Sequence, residues 1–115
     1  MRRGEIWEVD LEPTRGSEAS KRRPAVIISN NAANAVVERL RRGTITVVPL
    51  TSNISNVRRF QALLPAGRTK LKVDSKAKTE QIRALAHERF KQRLGSVPQD
   101  LMAEIEDALR IQLDL

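Results

Sequence analysis

The chain has 115 residues, with 21 Lys and Arg against 14 Asp and Glu and a formal net charge of +7. That length is expected to make one domain, spanning 1–115, with one real core. No run of about eighteen apolar residues is available to span a membrane. The opening Met1-Arg2-Arg3-Gly4-Glu5 lacks the apolar stretch of a signal peptide, and there is no cysteine for disulfides or thiolate chemistry, so the cytoplasm is the expected compartment. A basic surface of this size attracts polyanions through counterion release, and it attracts an acidic protein partner for the same reason.

Gly4 to Asp10 alternates apolar and polar residues, but Ile6 and Val9 break parity. A bulge, or a strand buried partly on both faces, accounts for that. Leu11 to Arg22 is polar, holds Pro13 and Gly16, and reads as a long loop. Pro24 to Ser29 is apolar and β-branched, the pattern of a central strand, with Pro24 suited to its first position. Asn30 to Arg42 carries Ala33, Val36, Val37 and Leu40 at helical spacing. Gly43 resets the chain before a second buried strand, Thr44 to Leu50. Phe60 to Pro65, Leu71 to Lys78, Gln81 to Leu85 and Leu94 to Val97 are the remaining strands, with Val73, Ser75 and Ala77 on one face of the second of these. In the tail, Leu101, Ile105 and Leu109 recur four apart, which marks a helix. Ser96 and Gln99 are spaced as its capping box, with Pro98 in the first turn. The pattern predicts an α+β fold: a curved, mainly antiparallel sheet closed by a C-terminal helix.

Metal chemistry has little support in the residues. There is no cysteine, His87 is the only histidine, and Asp10, Glu12 and Glu18 are spread rather than clustered. No cofactor is implied, because Gly43 and Gly67 are isolated and no Gly-rich phosphate loop exists. His87 alone cannot supply a two-histidine acid/base pair, and its neighbours predict a surface turn or short helix. The aromatics are Trp7, Phe60 and Phe90, too few for a base-stacking platform.

One juxtaposition stands out. Lys21-Arg22-Arg23 runs directly into the strand opened by Pro24, and the strand from Thr44 ends in Thr51-Ser52-Asn53. A cation and a hydroxyl at two strand ends can converge on one phosphate. A phosphodiester cleaver that uses the RNA 2′-hydroxyl needs little more than a base, an acid and a charge stabiliser. Arginine suits the last role because its fork binds two phosphate oxygens and stays charged. Glu18 is near enough in sequence to serve as base. The plainer readings are that Arg23 is solvated in a basic loop, that Thr51 caps the turn after it, that Glu18 only pairs with Lys21 or Arg22, and that Gln81 and Arg83 are strand-surface residues.

Arg3-Gly4-Glu5-Ile6-Trp7, Asp10-Leu11, Gly16-Ser17-Glu18 and Arg23-Pro24-Ala25-Val26-Ile27-Ile28-Ser29-Asn30 together resemble the MazF/PemK family of toxin endoribonucleases. The resemblance continues through Val48-Pro49-Leu50-Thr51-Ser52, Asp74-Ser75, Glu80-Gln81-Ile82-Arg83, Leu94-Gly95, Leu101-Met102 and Leu113-Asp114-Leu115. It implies an SH3-like barrel of the CcdB/PemK type with a C-terminal helix, a homodimer, and an acidic antitoxin as partner. It implies metal-independent cleavage of single-stranded RNA to a 2′,3′-cyclic phosphate and a 5′-hydroxyl. By position it places the catalytic arginine on Arg23 and the catalytic hydroxyl on Thr51, with Glu18 as an acidic residue whose role varies in the family. Ser17, Lys21, Arg22, Ser52, Asn53, Gln81 and Arg83 become the expected RNA contacts. Arginine does not deprotonate in proteins, so Arg23 is read as a charge stabiliser rather than a base. Two alternatives remain: a same-fold toxin that binds DNA gyrase, as the CcdB family does, and a passive RNA-binding module. The first needs a tryptophan near the chain end, where this chain has Ile111-Gln112-Leu113-Asp114-Leu115; the second is disfavoured by the few aromatics.

Overall fold

The computed structural model describes residues 1–11 and 22–115. Its strands are β1 (Glu5–Asp10), β2 (Arg22–Ile27), β3 (Thr44–Thr51), β4 (Gln61–Leu64), β5 (Ser75–Lys78), β6 (Arg83–Ala86) and β7 (Phe90–Ser96). The helices are α1 (Asn31–Leu40), the single turn α2 (Ala66–Thr69) and α3 (Gln99–Leu113). Neighbouring strands run β4-β5-β3-β2-β1-β7, and β6 also pairs with β3. Every pairing is antiparallel. The α+β class, the antiparallel strands and the closing helix expected from the sequence are therefore present.

β3 is the hub. One edge pairs with β2, from Ala25 opposite Pro49 to Ile27 opposite Val47. The other edge is divided: its first half takes β6, from Thr44 opposite Ala86 to Val47 opposite Arg83. Its last two residues, Leu50 and Thr51, take β5. One long β-branched strand thus serves two sheets and turns the surface between them, as an SH3-like barrel requires.

Period-two alternation divides the apolar residues between the two faces. Val26, Val48, Leu50 and Ala77 join Ile6, Ala62 and Leu64 under the Leu101, Met102 and Ile105 stripe of α3. Ala25, Ile27, Ile45 and Val47 join Val9, Leu85 and Phe90 on the other face. Ile105 is fully buried, and burial of such a side chain contributes on the order of 1.5–3 kcal/mol. Ile6 and Val9 go to opposite cores, and the β1–β7 register shifts at Ile6/Trp7 and at Glu8/Val9. Both explanations of the broken parity in β1 hold together.

Several boundaries differ from the sequence reading. β2 starts at Arg22, so Pro24 is its third residue rather than its first. Its missing N–H takes nothing from the ladder to β3, which begins at Ala25. Leu71 to Asp74 is not strand; only Ser75–Lys78 is, because Pro65 starts the α2 turn and Lys70, at φ 67°, ends it in the left-handed region. The Asp74 carboxylate then accepts from the Ala66 amide at 2.8 Å and fixes the wrap. Thr79–Gln81 forms a 3-10 turn ahead of β6, and β7 begins at Phe90 rather than Leu94. The Ser96/Gln99 capping box does not form. Ser96 is held in β7 opposite Glu5, and Pro98 stands at the N-cap of α3 without a side-chain bond.

Two polar contacts fasten the elements. Asn34 of α1, 1% exposed, exchanges bonds with Ser29: its side-chain amide donates to the Ser29 carbonyl at 2.9 Å and its oxygen accepts from the Ser29 hydroxyl at 2.5 Å. The Glu5 carboxylate accepts from the Trp7 indole N–H at 2.9 Å and the Arg2 amide at 3.1 Å, and lies 3.6 Å from Arg93.

Gly95 has a stricter role. A Cβ there would overlap the backbone carbonyl of Thr69, so β7 and the end of α2 touch main chain to main chain. Gly95→Ala is expected to cost about 1–3 kcal/mol of overpacking strain, seen as a lower urea midpoint; a wild-type midpoint would contradict the contact. Burial works to raise the Glu5 pKa, but the Trp7, Arg2 and Arg93 contacts outweigh it and hold the carboxyl below its ordinary 4.5. A pKa lower in the folded than in the unfolded state stabilises the fold above about pH 4.5, and the gain is lost as pH falls through the lower folded value. Glu5→Gln should therefore flatten the acid side of the melting-temperature profile, and an unaltered profile would contradict this.

Candidate active site

The β2–β3 register explains how residues from two distant segments meet. The β2–β3 ladder ends with Ala25 opposite Pro49; continued two residues past that end, the register points Arg23 toward Thr51, the last residue of β3. Directly opposed residues in an antiparallel pair share a face. Arg23 and Thr51 do line one cleft of about 540 Å³, together with Ser52, Asn53, Lys70 and Lys72. That volume suits a nucleotide-sized ligand.

Arg23 is exposed, and among the described residues no carboxylate lies within ion-pair distance of it. Among the described residues, nothing engages its guanidinium. The Thr51 hydroxyl accepts from the Asn53 amide at 3.2 Å, and the Asn53 side-chain oxygen accepts from the Ser55 amide and hydroxyl at 3.3 and 2.6 Å. Thr51 thus shapes the turn after it, in line with the plainer reading. That bond uses only an acceptor lone pair, and among the described residues the Thr51 O–H donates to no other group. The turn contact fixes where that hydroxyl sits.

The other expected residues are distributed unevenly. Ser17, Glu18 and Lys21 lie outside the described residues. Arg22 opens β2 but is not on the cleft wall; its guanidinium lies 3.7 Å from the Glu8 carboxylate. Gln81, at the end of a 3-10 turn, and Arg83, on β6 opposite Val47, are exposed and do not line the cleft. His87 starts a 3-10 turn at residues 87–89, as expected, away from the cleft.

Five polar lining residues were not anticipated: Glu8, Lys70, Lys72, Ser75 and Gln92. Lys70 and Lys72 reach the cleft because the α2 turn presses on Gly95 of β7. Their clustering as Lys70-Leu71-Lys72 was visible, but the segment reads as strand until that packing is known. Among the described residues no three His, Cys, Asp or Glu side chains group as a metal site, and no helix is long and apolar enough to cross a membrane.

The molecule is a small α+β protein whose antiparallel sheet places a cation, a hydroxyl and two further lysines, with Glu8, on one open cleft. The chain belongs to the PemK-like, MazF-like toxin family of type II toxin–antitoxin systems, whose sequence pattern matches residues 2–113. It is 56% identical over 115 residues to a protein named endoribonuclease MazF9 of Mycobacterium tuberculosis, covering 100% of this chain and 98% of that one. Its fold matches the crystal structure of MazE-MazF (Form-II) from Deinococcus radiodurans with a TM-score of 0.80 at 26% identity, covering 100% of this chain and 96% of that chain. It also matches an endoribonuclease in complex with its cognate antitoxin from Mycobacterial species, with a TM-score of 0.75 at 25% identity over 100% and 96% of the two chains.

Replacing Lys70 and Lys72 by Met should weaken binding of a short single-stranded polyanion. The log–log salt slope should become shallower by about 0.7 for each phosphate that is no longer neutralised. An unchanged slope in the folded double variant would remove these lysines from the anion-facing wall.

Proposed function

We propose that this toxin is an endoribonuclease that cleaves single-stranded RNA without metal, by attack of a 2′-hydroxyl on the adjacent phosphate in the cleft of Arg23 and Thr51. The observation that carries this reading is the meeting of Arg23 and Thr51 on one cleft wall. The family match and the relative named as an endoribonuclease support it. Over the whole of 1–115 the chain is read as one toxin domain, working in the cytoplasm.

The 2′-oxygen forms a new bond to phosphorus while the bond to the 5′-oxygen breaks. The 2′-proton goes to a base and the leaving oxygen takes up a proton. Negative charge accumulates on the non-bridging oxygens in between. Arg23 meets that charge with a fork that stays protonated, and the Thr51 O–H donates to the same oxygens. A carboxylate suits the base: Glu18, near in sequence and of varying role in the family, or Glu8, which lines the cleft among the described residues. Ser17, Lys21, Arg22, Ser52, Asn53, Gln81 and Arg83 hold the RNA strand, the outlying ones through the groove that a homodimer forms. An acidic antitoxin covers the same basic surface and competes with RNA, drawn by the +7 charge.

Single-turnover cleavage of one short RNA by folded variants tests the roles. Arg23→Ala should lose at least about a hundredfold to a thousandfold in rate, the usual loss for one charge-stabilising donor. Thr51→Ala should lose much of the rate, and Thr51→Ser should keep part of it. RNA binding should fall only modestly, since other cations still neutralise phosphates. His87→Ala should cut like wild type. A folded, fully active Arg23→Ala protein would overturn the assignment.

A further inference from the structure

Thr51 and Asn53 line a second cavity as well, of about 440 Å³, on the other side of the threonine. Arg23 is absent from its wall. Lys76 is present, joined by Lys78, Arg58 and Phe60.

Lys76 holds an unusual position. It is directly opposite Thr51 in the β3–β5 register, so the two side chains share a face. Arg23 lines the first cleft with Thr51, so Thr51 stands between two cations, Arg23 on the side of β2 and Lys76 on β5. Lys76 is only 8% exposed. Its ammonium donates to the Ser55 carbonyl at 3.1 Å. That is its single hydrogen bond among the described residues, and no carboxylate among them lies within ion-pair distance of it. Glu80, the one carboxylate on the cavity wall, is engaged by the Gln61 amide at 2.9 Å. A covered ammonium with donors to spare and no countercharge is costly unless an anion completes it.

Lys78 lies two residues along β5 and so on the same face as Lys76, half-buried, opposite Gln61. Lys76, Lys78 and Arg58 against Glu80 leave the cavity net positive. Phe60 adds an aromatic ring. Cations that follow a backbone beside an aromatic that stacks a base form a single-strand nucleic-acid site.

We infer that this second cavity holds the nucleotide flanking the scissile bond on the side of Thr51 away from Arg23, with Lys76 as the buried cation that binds its phosphate. The inference rests on the RNA-cleaving reading above. In it the strand passes over Thr51 from one cavity to the other. Arg23 and Lys76 then grip successive phosphates, and Asn53, common to both walls, sits between them. Lys76 is a binding and positioning residue here, not a catalytic one.

The test uses short 2′-O-methylated RNAs, which bind without being cut, and the matching unmodified RNAs for cleavage. One extends on both sides of the cleavage site; two others are trimmed back to that site from one end or the other. Lys76→Met should weaken binding of the extended RNA roughly tenfold, about the worth of one charge-assisted hydrogen bond, and make its salt slope shallower by about 0.7. For one of the two trimmed RNAs, Lys76→Met and wild type should bind alike. Lys76→Arg should restore both affinity and slope. If Lys76→Met does not fold by circular dichroism, Arg58→Ala, which removes an exposed cation of the same cavity, makes the same comparison with the same expected pattern. Equal losses on extended and both trimmed RNAs, or no loss and no change of slope, would overturn the subsite. If wild type binds and cuts while the variant is indistinguishable from it, the subsite falls and the nuclease reading stands. If wild type neither binds nor cuts RNA, both fall.

Discussion

The register of β3 with its neighbours governs most of what this molecule can do. Pairing Ala25 with Pro49 on one edge and Thr51 with Lys76 on the other leaves Thr51 beside Lys76 and on one cleft with Arg23. A slip of one residue on either edge would turn the side chains of that strand to the opposite face. Such a slip is strongly opposed, because the same alternation sends Val48 and Leu50 to the core under α3 and Ile45 and Val47 to the other core. The apolar pattern that stabilises the sheet is therefore also what aims these polar side chains. Folding and site assembly are one event in this sheet.

Close main-chain packing completes the cleft. The α2 turn lies against β7 at Gly95, where no other residue leaves room. That packing brings Lys70 and Lys72 to the wall facing Arg23 and Thr51. The Arg68–Asp100 pair at 2.7 Å ties the same turn to α3, but both side chains are well exposed and the pair adds little. Backbone packing and the Asp74 bond to the Ala66 amide hold the wall in place. Among the described residues, Lys70 and Lys72 on it are in no ion pair.

Much of this was legible in the sequence, and the reasons are specific. β3 is eight residues of β-branched and apolar character, and α3 repeats its apolar stripe over four turns; strong periodicity of that kind identifies an element by itself. Arg23 and Thr51, which line one cleft, drew attention because both stand at the ends of such strands and because the family resemblance matched their spacing. Other elements were illegible for equally specific reasons. The strand expected over Leu71 to Lys78 shrank to Ser75–Lys78 because a one-turn helix and a left-handed Lys70 leave no local periodicity to read. Ser96 and Gln99 have capping-box spacing, yet Ser96 belongs to β7, and tertiary pairing overrode the local signal. Lys76 and Glu8 passed as ordinary strand residues. Only the register shows that one is covered beside Thr51 and that the other faces the cleft.

The central claim is that the cleft uses a hydroxyl of the RNA itself as nucleophile, with Arg23 and Thr51 arranged around the phosphate it attacks. The most direct measurement is cleavage, in the presence of EDTA, of one short RNA and of its twin carrying a single 2′-deoxy nucleotide immediately 5′ of the scissile phosphate. The account predicts that the RNA is cut to a 2′,3′-cyclic phosphate and a 5′-hydroxyl while the twin stays intact at that bond. Cutting of the twin at the same bond, or loss of all cutting in EDTA, would contradict it.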